Sequence, residues 1–397
     1  MSGEPVFRLF FTGRIEIASA LRSFRRLPGQ CGMKTLLWDV ICVAVLCVIL
    51  TLGLWPFHAP ENEVAWLVNR NGLQLGRYGT VISSSAFQMT SEGSEASISV
   101  EVWLQPFRIW DSSTILSFYT PGSPSRLSLR QSLAGLELTQ TTRLYVENVF
   151  RRPGPVFLTI TSGIHGTAVY TNGVLARMAP QFRPFPKEFA GRLVLGDSPR
   201  QPDSWSGDML GLAIYGRELT AAQVLRHYET WTHADRPVLS EEDRNIALYL
   251  FNERAGNVIQ SQTGSGVSLY IPENYTVLDK IFLEPFWKEF SMSRSYWDSV
   301  VKNIIGFIPF GFCFYACLSA RKVRRAALAT VILGTLVSLT IEILQAYLPT
   351  RDSGTTDLFT NTIGTYIGVI SYTVVSPVLA ARFPRLPFVA SRGRPER

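Results

Sequence analysis

Two patterns of hydrophobic residues divide the chain. Four nearly unbroken apolar runs lie at about 36–56, 300–319, 326–347 and 357–380. A helix of about 20 residues is about 30 Å long and matches the hydrocarbon core of a bilayer. Buried helices of a soluble protein are the alternative, but three runs follow one another within residues 300–380, which disfavours it. The runs therefore predict four transmembrane helices.

Residues 60–275 show a different pattern, in which short apolar stretches are separated by Gly, Pro and Ser. In SISVEVWLQ (97–105) every second residue from Ile98 is apolar, which is the period of a strand with one buried face. Asn172–Gly173 lies between two such stretches and suits a type I′ hairpin turn. Thr220 and Gln223 have the spacing of a capping box at the start of one helix. These signals predict an antiparallel β-sandwich between the first and second transmembrane helices.

Basic residues are concentrated in three short flanks of the apolar runs. Residues 1–35 carry six Lys/Arg against two acids, the RKVRR loop (321–325) carries four, and 381–397 carries five Arg against one Glu. Residues 57–299 carry 21 basic and 24 acidic groups, so the excess charge does not form a nucleic-acid-binding face. Because basic flanks stay in the cytoplasm, we expect both terminal segments to be cytoplasmic and the sandwich to be extracytoplasmic.

The sequence carries no signature of a zinc hydrolase, a serine hydrolase or a nucleotide-binding site. None of the four histidines lies in a His-Glu-x-x-His motif, and neither a Gly-x-Ser-x-Gly nor a P-loop sequence occurs. None of the five cysteines falls within 60–275, so we expect no disulfide framework there. We expect no cofactor, and we favour a protein that is not an enzyme.

Polar side chains interrupt the last three apolar runs. The predicted topology places Asn303, Glu342, Gln345, Asp357 and Asn361 at the level of the outer leaflet, together with Asp298. Arg351, in the connecting loop, can add a positive partner and is the sixth candidate residue besides the first five. Ionisable groups in a membrane span are costly and normally face the bundle interior or a wet cavity. Either these groups pair with one another, as Arg351 could with Asp357 or Glu342, and hold the helices together, or they line a pocket. In a pocket, Glu342 and Asp357 would be candidate acid–base groups for a lipid-linked substrate.

Four residues of the predicted sandwich are weak candidates for ligand binding. Asp197, Asp203 and Asp208 are six and five residues apart in a turn-rich stretch, and their oxygens would suit calcium. No compact Asp-x-Asp-x-Asp run is present, which favours solvated loop carboxylates over a calcium site. Trp205 is either a stacking platform for a sugar ring or a core residue.

The membrane segments resemble the VanZ-like family over residues 36–57, which are compatible with its opening helix, and 297–375. NIIGFIPFG (303–311) resembles its N-x-x-G-F-x-P-x-G segment, and IEILQ (341–345) is similar to its I-E-x-x-Q segment. The family's R-x5-D-x3-N-x2-G-x3-G segment is similar to this chain at Arg351, Asp357, Asn361, Gly364 and Gly368. The family is named for a protein linked to teicoplanin resistance in bacteria. The resemblance therefore implies a protein of the bacterial cytoplasmic membrane, in glycopeptide resistance or envelope maintenance.

The sandwich resembles a second family. HGTAVYTNGVLA (165–176) and the stretch from GRLVLGD (191–197) to RHYETW (226–231) are similar to the second half of a laminin-G-like, concanavalin A-type jelly roll. Such domains often bind glycans or protein partners, sometimes through calcium. The resemblance implies an outer domain that recognises a cell-wall glycan, a glycopeptide or an envelope protein. A membrane enzyme that acts on a lipid-linked or glycan substrate is the alternative.

Overall fold

The computed structural model describes residues 32–88, 97–120, 127–184, 189–200, 202–234, 245–263, 266–292 and 294–382. The basic terminal segments predicted above lie outside the described residues over 1–31 and 383–397. The chain forms two compact units. The helical unit comprises the residues up to Leu54, Pro285–Glu342 and those from Gly354 onwards, and the sandwich unit comprises Trp55–Glu284 and Ile343–Ser353.

Six helices and sixteen strands are formed by the described residues. The helices are α1 (Gly32–Leu54), α2 (Ala221–Ala234), α3 (Phe286–Glu289), α4 (Arg294–Ala320), α5 (Ala326–Gln345) and α6 (Thr355–Arg382). The strands are β1 (Val64–Trp66), β2 (Leu73–Leu75), β3 (Val81–Ser83), β4 (Ile98–Pro106), β5 (Asp111–Tyr119), β6 (Leu127–Leu133), β7 (Gly135–Thr139), β8 (Arg143–Val146), β9 (Val156–Gly163), β10 (Gly166–Thr171), β11 (Val174–Ala179), β12 (Arg192–Leu195), β13 (Gly207–Tyr215), β14 (Asn245–Tyr249), β15 (Val258–Ile259) and β16 (Leu269–Tyr270).

Four of the described helices are long and apolar enough to cross a bilayer. Their qualifying stretches are Thr35–Leu54, Tyr296–Ala320, Ala326–Gln345 and Thr355–Val378. One precedes the strands and three follow them. The predicted fold class, four membrane helices with an antiparallel sandwich after the first, is confirmed.

Glycines bring α4 and α6 into backbone contact in the helical unit. A Cβ added at Gly364 would collide with the carbonyl oxygen of Ile304, and one at Gly368 with the carbonyl oxygen of Ile308. Gly364 and Gly368, which are four residues apart on one face of α6, therefore pack directly on the α4 backbone. In a bilayer, where apolar side chains gain little by leaving lipid, such close contact is a main source of helix association.

The sandwich unit consists of two antiparallel sheets. The first has the strand order β1-β2-β13-β4-β9-β10-β11, with β14 also paired to β13, and the second has the order β15-β16-β3-β12-β5-β6-β7-β8. The apolar residues that alternate along β4 (Ile98, Val100, Val102 and Leu104) are buried in the core between the sheets. Their predicted inward face is confirmed.

The central part of the other face of the first sheet is also buried, because α2 covers it. Val224, His227 and Trp231 of α2 are buried, and a Cβ at Gly211 of β13 would collide with the Trp231 ring. The glycine thus makes room for the helix. Consequently, Glu101 on the outer side of β4 is fully buried, although its position in the alternating pattern suggested an exposed residue.

Two local predictions are confirmed in the sandwich. Asn172 and Gly173 connect β10 to β11 with φ angles of 52° and 77°, both in the left-handed region that a type I′ turn requires. At the start of α2, the Thr220 backbone N–H donates to Gln223 Oε1 at 2.9 Å, and the Gln223 N–H donates to Thr220 Oγ1 at 3.3 Å. This is the reciprocal pattern of a capping box.

Candidate functional site

Four of the six candidate polar residues of the membrane segments belong to the helical unit, and each bonds to protein groups. Asn303 Nδ2 of α4 donates to Asp357 Oδ1 of α6 at 2.6 Å. Asn361 Nδ2, one turn further along α6, donates to Ser338 Oγ of α5 at 2.9 Å. These bonds tie α6 to both of its neighbours. Such bonds are what is required by the first interpretation of the sequence, in which the polar groups pair with one another and hold the helices together.

Glu342 lies in the last turn of α5, and its side chain is only 1% exposed. Its Oε2 accepts from the Gly354 N–H, just before α6 begins, at 2.9 Å. Glu289 of α3 reaches the same helix end, where its Oε2 accepts from the Thr356 N–H at 2.9 Å. Carboxylates are stabilised at a helix N-terminus by its unsatisfied N–H groups and by the helix dipole. Sequence reasoning missed Glu289, whose segment contains only four helical residues.

Gln345 and Arg351 fall in the part of the chain that belongs to the sandwich unit. Lys280 Nζ donates to the Gln345 carbonyl oxygen at 2.5 Å. Arg351 Nε donates to the carbonyl oxygen of Trp55 at 2.9 Å. Both bonds lie within the sandwich unit. Whether any of the six residues binds a substrate stays a prediction.

Three of the four candidates in the sandwich bond to protein donors. Asp197 Oδ1 accepts from the backbone N–H groups of Ser198 and Asp203, at 2.7 and 2.8 Å, and its Oδ2 accepts from the Tyr275 hydroxyl. Asp203 Oδ2 accepts from Thr114 Oγ1 and from the Arg130 guanidinium.

Asp208 and Trp205 are also engaged. Asp208 Oδ2 accepts from Arg70 Nη2 at 2.5 Å. Trp205 is fully buried and donates from Nε1 to Gln131 Oε1 at 2.9 Å. Trp205 is therefore a core residue, and the interpretation as a sugar-stacking platform was wrong because its ring has no exposed face. Among the described residues no group of three His, Cys, Asp or Glu is placed to hold a metal ion.

A groove of about 500 Å³ lies on the outer face of the second sheet. Its walls come from β5 to β8 and from the loop after β12. The lining is entirely polar: Thr114, Ser117, Ser128, Arg130, Glu137, Thr139, Arg143, Ser198 and Arg200.

Strand register assembles this lining in two rows. Ser117 lies opposite Ser128, which lies opposite Thr139. In the second row Thr114 lies opposite Arg130, and Arg130 lies opposite Glu137. Leucines at the alternate positions of the same strands are buried in the core, so the polar residues face outward. Sequence analysis missed the groove, although the alternation of Leu with polar residues in RLSLRQ and GLELTQ marks two of its strands.

Three guanidinium groups lie in the groove, and each has a carboxylate beside it. Arg130 is paired with Asp203, and Arg200 Nε lies 3.4 Å from Asp279 Oδ2. Arg143 Nε lies 3.6 Å from Glu137 Oε1, and the Arg143 side chain is 76% exposed. An exposed ion pair contributes little to stability. The Arg143 guanidinium can therefore turn towards an incoming anion at small cost.

The Asp197 carboxyl group makes the stability of the sandwich depend on pH. Burial raises its pKa from 3.8 to about 6, although the Tyr275 hydroxyl and two backbone N–H groups oppose the shift. A raised folded-state pKa means that the folded protein holds the proton more tightly than the unfolded chain does. The resulting stabilisation is complete below about pH 4 and is lost as the pH rises through about 6, by about 2–3 kcal/mol.

We expect Asp197→Asn to remove this dependence, because the amide keeps an oxygen for the two N–H groups and an N–H for the Tyr275 hydroxyl. Pulse proteolysis of the full chain in lipid nanodiscs at pH 4 to 7 would measure the difference between wild type and variant. E147Q, at an exposed position, serves as the control. Parallel pH profiles for wild type and D197N would contradict the assignment.

Family models match two parts of the chain. A VanZ/LLP1 model matches residues 246–376, and a model of the concanavalin A-like lectin/glucanases superfamily matches residues 78–225. Both predicted resemblances are confirmed. The first match begins at β14, so it includes the last strands of the sandwich as well as α3 to α5 and most of α6. It does not include α1, so the part of the predicted resemblance over residues 36–57 lies outside the match. With the four apolar helices, it identifies a multi-pass membrane protein.

No curated protein matches the chain. A solved structure from Bacteroides ovatus, with a proposed role in carbohydrate binding, is 14% identical and aligns over 55% of this chain and 62% of its own, with a TM-score of 0.35. A heptameric SAP-like pentraxin from Limulus polyphemus is 15% identical over 54% of this chain and 95% of its own, with a TM-score of 0.32. At these TM-scores the likenesses carry no functional implication.

Proposed function

We propose that this chain, which carries a VanZ-like domain and a concanavalin A-like domain, is a membrane-anchored receptor for an acidic glycan of the bacterial cell envelope. The sandwich binds the glycan, and the helices anchor the sandwich in the membrane. The observation that carries the proposal is the polar groove on the second sheet, with its rows of hydroxyls and its three guanidinium groups. Sugar hydroxyls exchange hydrogen bonds with such a lining, and a carboxylate or phosphate of the ligand pairs with arginine.

The basic flanks support the orientation that this function needs. They favour cytoplasmic termini and therefore an extracytoplasmic sandwich. A thiol introduced at Ser198 should react with a membrane-impermeant reagent added to the outside of intact cells. Reaction only after the membrane is opened would contradict both the orientation and the function.

The ligand chemistry is testable with the full chain in nanodiscs. We expect a uronic-acid polysaccharide to bind, and a neutral dextran of the same length to bind at least about tenfold more weakly, because only the former can pair with arginine. The binding should weaken as salt is raised. The family resemblance makes teicoplanin a candidate ligand, so teicoplanin is added as a competitor. Competition distinguishes a site that binds a glycopeptide from one that binds a wall polymer. Equal binding of the acidic and neutral polymers would count against the proposal.

Replacing groove arginines should weaken that binding selectively. We expect R143Q and R200Q each to raise the Kd for the acidic polymer about three- to tenfold, the size expected for the net contribution of one hydrogen bond of about 1 kcal/mol. R226Q, on the solvent side of α2, is the matched control and should leave the Kd unchanged. An equal rise of the Kd in all three variants would show that the polymer is attracted by the positive charge of the whole surface and does not bind in the groove.

A further inference from the structure

Three apolar side chains are exposed together at one end of the sandwich. Phe107 and Trp110, in the loop between β4 and β5, are 49% and 72% exposed, and Leu133, at the turn between β6 and β7, is 53% exposed. Leu133 lies directly opposite Asp111, the neighbour of Trp110. We name Phe107, Trp110 and Leu133 the aromatic tip. Single exposed apolar residues are ordinary, but a contiguous group of this size normally contacts something.

One buried side chain, Gln131, fixes the backbone of both turns that carry the aromatic tip. Gln131 Nε2 donates to the carbonyl oxygens of Arg108, Ile109 and Leu133, at 2.7, 3.0 and 3.2 Å. The fully buried Gln131 in turn accepts from Trp205. Both turns are therefore fixed before any partner arrives, which lowers the entropic cost of binding.

Strand pairing shows which end of the sandwich carries the aromatic tip. Pro106, the last residue of β4, pairs with Gly207, and Gly207 also pairs with Leu75 of β2. Leu75 pairs with Val64, the first residue of β1. The tip, which follows Pro106 directly, therefore lies at the end where the chain enters the sandwich.

The chain also leaves the sandwich at this end. Glu61 and Asn274 form an antiparallel bridge, and the Tyr275 N–H donates to the carbonyl oxygen of Pro60 at 3.0 Å. Six residues, 55–60, separate Glu61 from the end of α1 at Leu54. The seven residue steps from Leu54 to Glu61 reach at most about 25 Å when fully extended. The covalent connection between the first membrane helix and this end of the sandwich is therefore short.

We propose that the aromatic tip inserts into the interface of the lipid bilayer. Trp is favoured at that depth because its ring is apolar and its N–H is polar, and Phe and Leu are favoured among the acyl chains just below. Arg108 within the same loop and Arg77 in the turn after β2 are exposed, and each is attracted to anionic headgroups. The inference does not rest on the glycan-binding function.

The proposal is tested with the full chain, with Cys31 and Cys47 replaced by serine. A bimane label is attached to W110C in nanodiscs of phosphatidylcholine and phosphatidylglycerol, with or without lipid that carries a nitroxide near the headgroup. We expect the nitroxide lipid to quench the label at least about twofold more than the same lipid without nitroxide, as insertion requires.

I164C is the matched control. Ile164 is an apolar residue, 53% exposed, in the hairpin between β9 and β10 at the opposite end of the sandwich, and its label should be unaffected by nitroxide lipid. No quenching at 110, or equal quenching at 110 and 164, would overturn the proposal. A label at 110 that responds to the acidic polysaccharide and not to nitroxide lipid would also overturn it, since the tip would then belong to a glycan-binding surface.

Discussion

Replacing Glu101 with alanine is expected to lower the free energy of unfolding of the sandwich by about 3–5 kcal/mol, the usual cost of removing one partner from a buried, hydrogen-bonded acid–base pair. Glu101 Oε2 accepts from the Tyr215 hydroxyl at 2.6 Å, and Oε1 accepts from Thr159 Oγ1 at 3.2 Å. Both oxygens lie 3.2 Å from His227 Nδ1. Since Glu101 and His227 are both fully buried, water cannot replace the lost acceptor.

The effect should be visible as loss of the sandwich and not only as lower stability, because 3–5 kcal/mol is close to the whole stability of many domains. Pulse proteolysis of the full chain in nanodiscs measures it. E101Q keeps the shape and an acceptor oxygen, so its loss should be smaller than that of E101A. E147A, at an exposed position, should change the stability by less than about 0.5 kcal/mol. Similar stability of E101A and E147A would show that the network does not hold α2 on the sheet.

Local signals in the sequence predicted the parts of the fold that depend on neighbouring residues. The apolar runs predicted the membrane helices, Asn172–Gly173 predicted the hairpin between β10 and β11, and Thr220 with Gln223 predicted the start of α2. In each case the physical cause acts within a few residues, through helix length, positive φ angles or a reciprocal cap. Such causes leave a readable pattern in a single sequence.

The contacts that build the sites depend on residues far apart in the chain. Glu101 and His227 are separated by 126 positions, and Trp205 and Gln131 by 74. Nothing near Trp205 indicates that its ring is enclosed, and nothing near Glu101 indicates that a helix covers it. The groove likewise depends on residues that are distant in the chain, because Ser117, Ser128 and Thr139 become neighbours only through the register of three strands.

The groove and the aromatic tip share a strand pair, and this limits where a ligand would be held. Asp111, beside the tip, and Thr114, in the groove, are three residues apart on β5, about 10 Å along a strand. If the tip rests in the bilayer interface, the near end of the groove lies only slightly above it. The proposed receptor would therefore hold an acidic glycan at the membrane surface, where lipid-linked wall polymers are anchored, and would not reach into the outer wall.

Replacing Gly368 with alanine is expected to disrupt the helical unit, because a single methyl group would collide with the α4 backbone. The added Cβ would meet the carbonyl oxygen of Ile308 and lie 2.7 Å from Phe312 N and 2.9 Å from Gly311 Cα. Backbone atoms of a helix cannot turn aside as a side chain can, so α4 and α6 must separate. We expect a loss of about 3 kcal/mol or more, beyond the usual range for overpacking by flexible side chains.

Gly306→Ala is the matched control on α4, because its Cβ would meet no described atom within 4 Å. Alanine is also the better helix former, so G306A should be neutral or slightly stabilising. Heating the full chain in detergent and measuring the fraction that stays monodisperse compares the two variants. A G368A midpoint well below both G306A and wild type would show that contact between the α4 and α6 backbones, rather than general helix propensity, stabilises the membrane bundle. Equal midpoints would mean that the two helices tolerate separation and that the polar bonds of Asn303 and Asn361 suffice to hold α6.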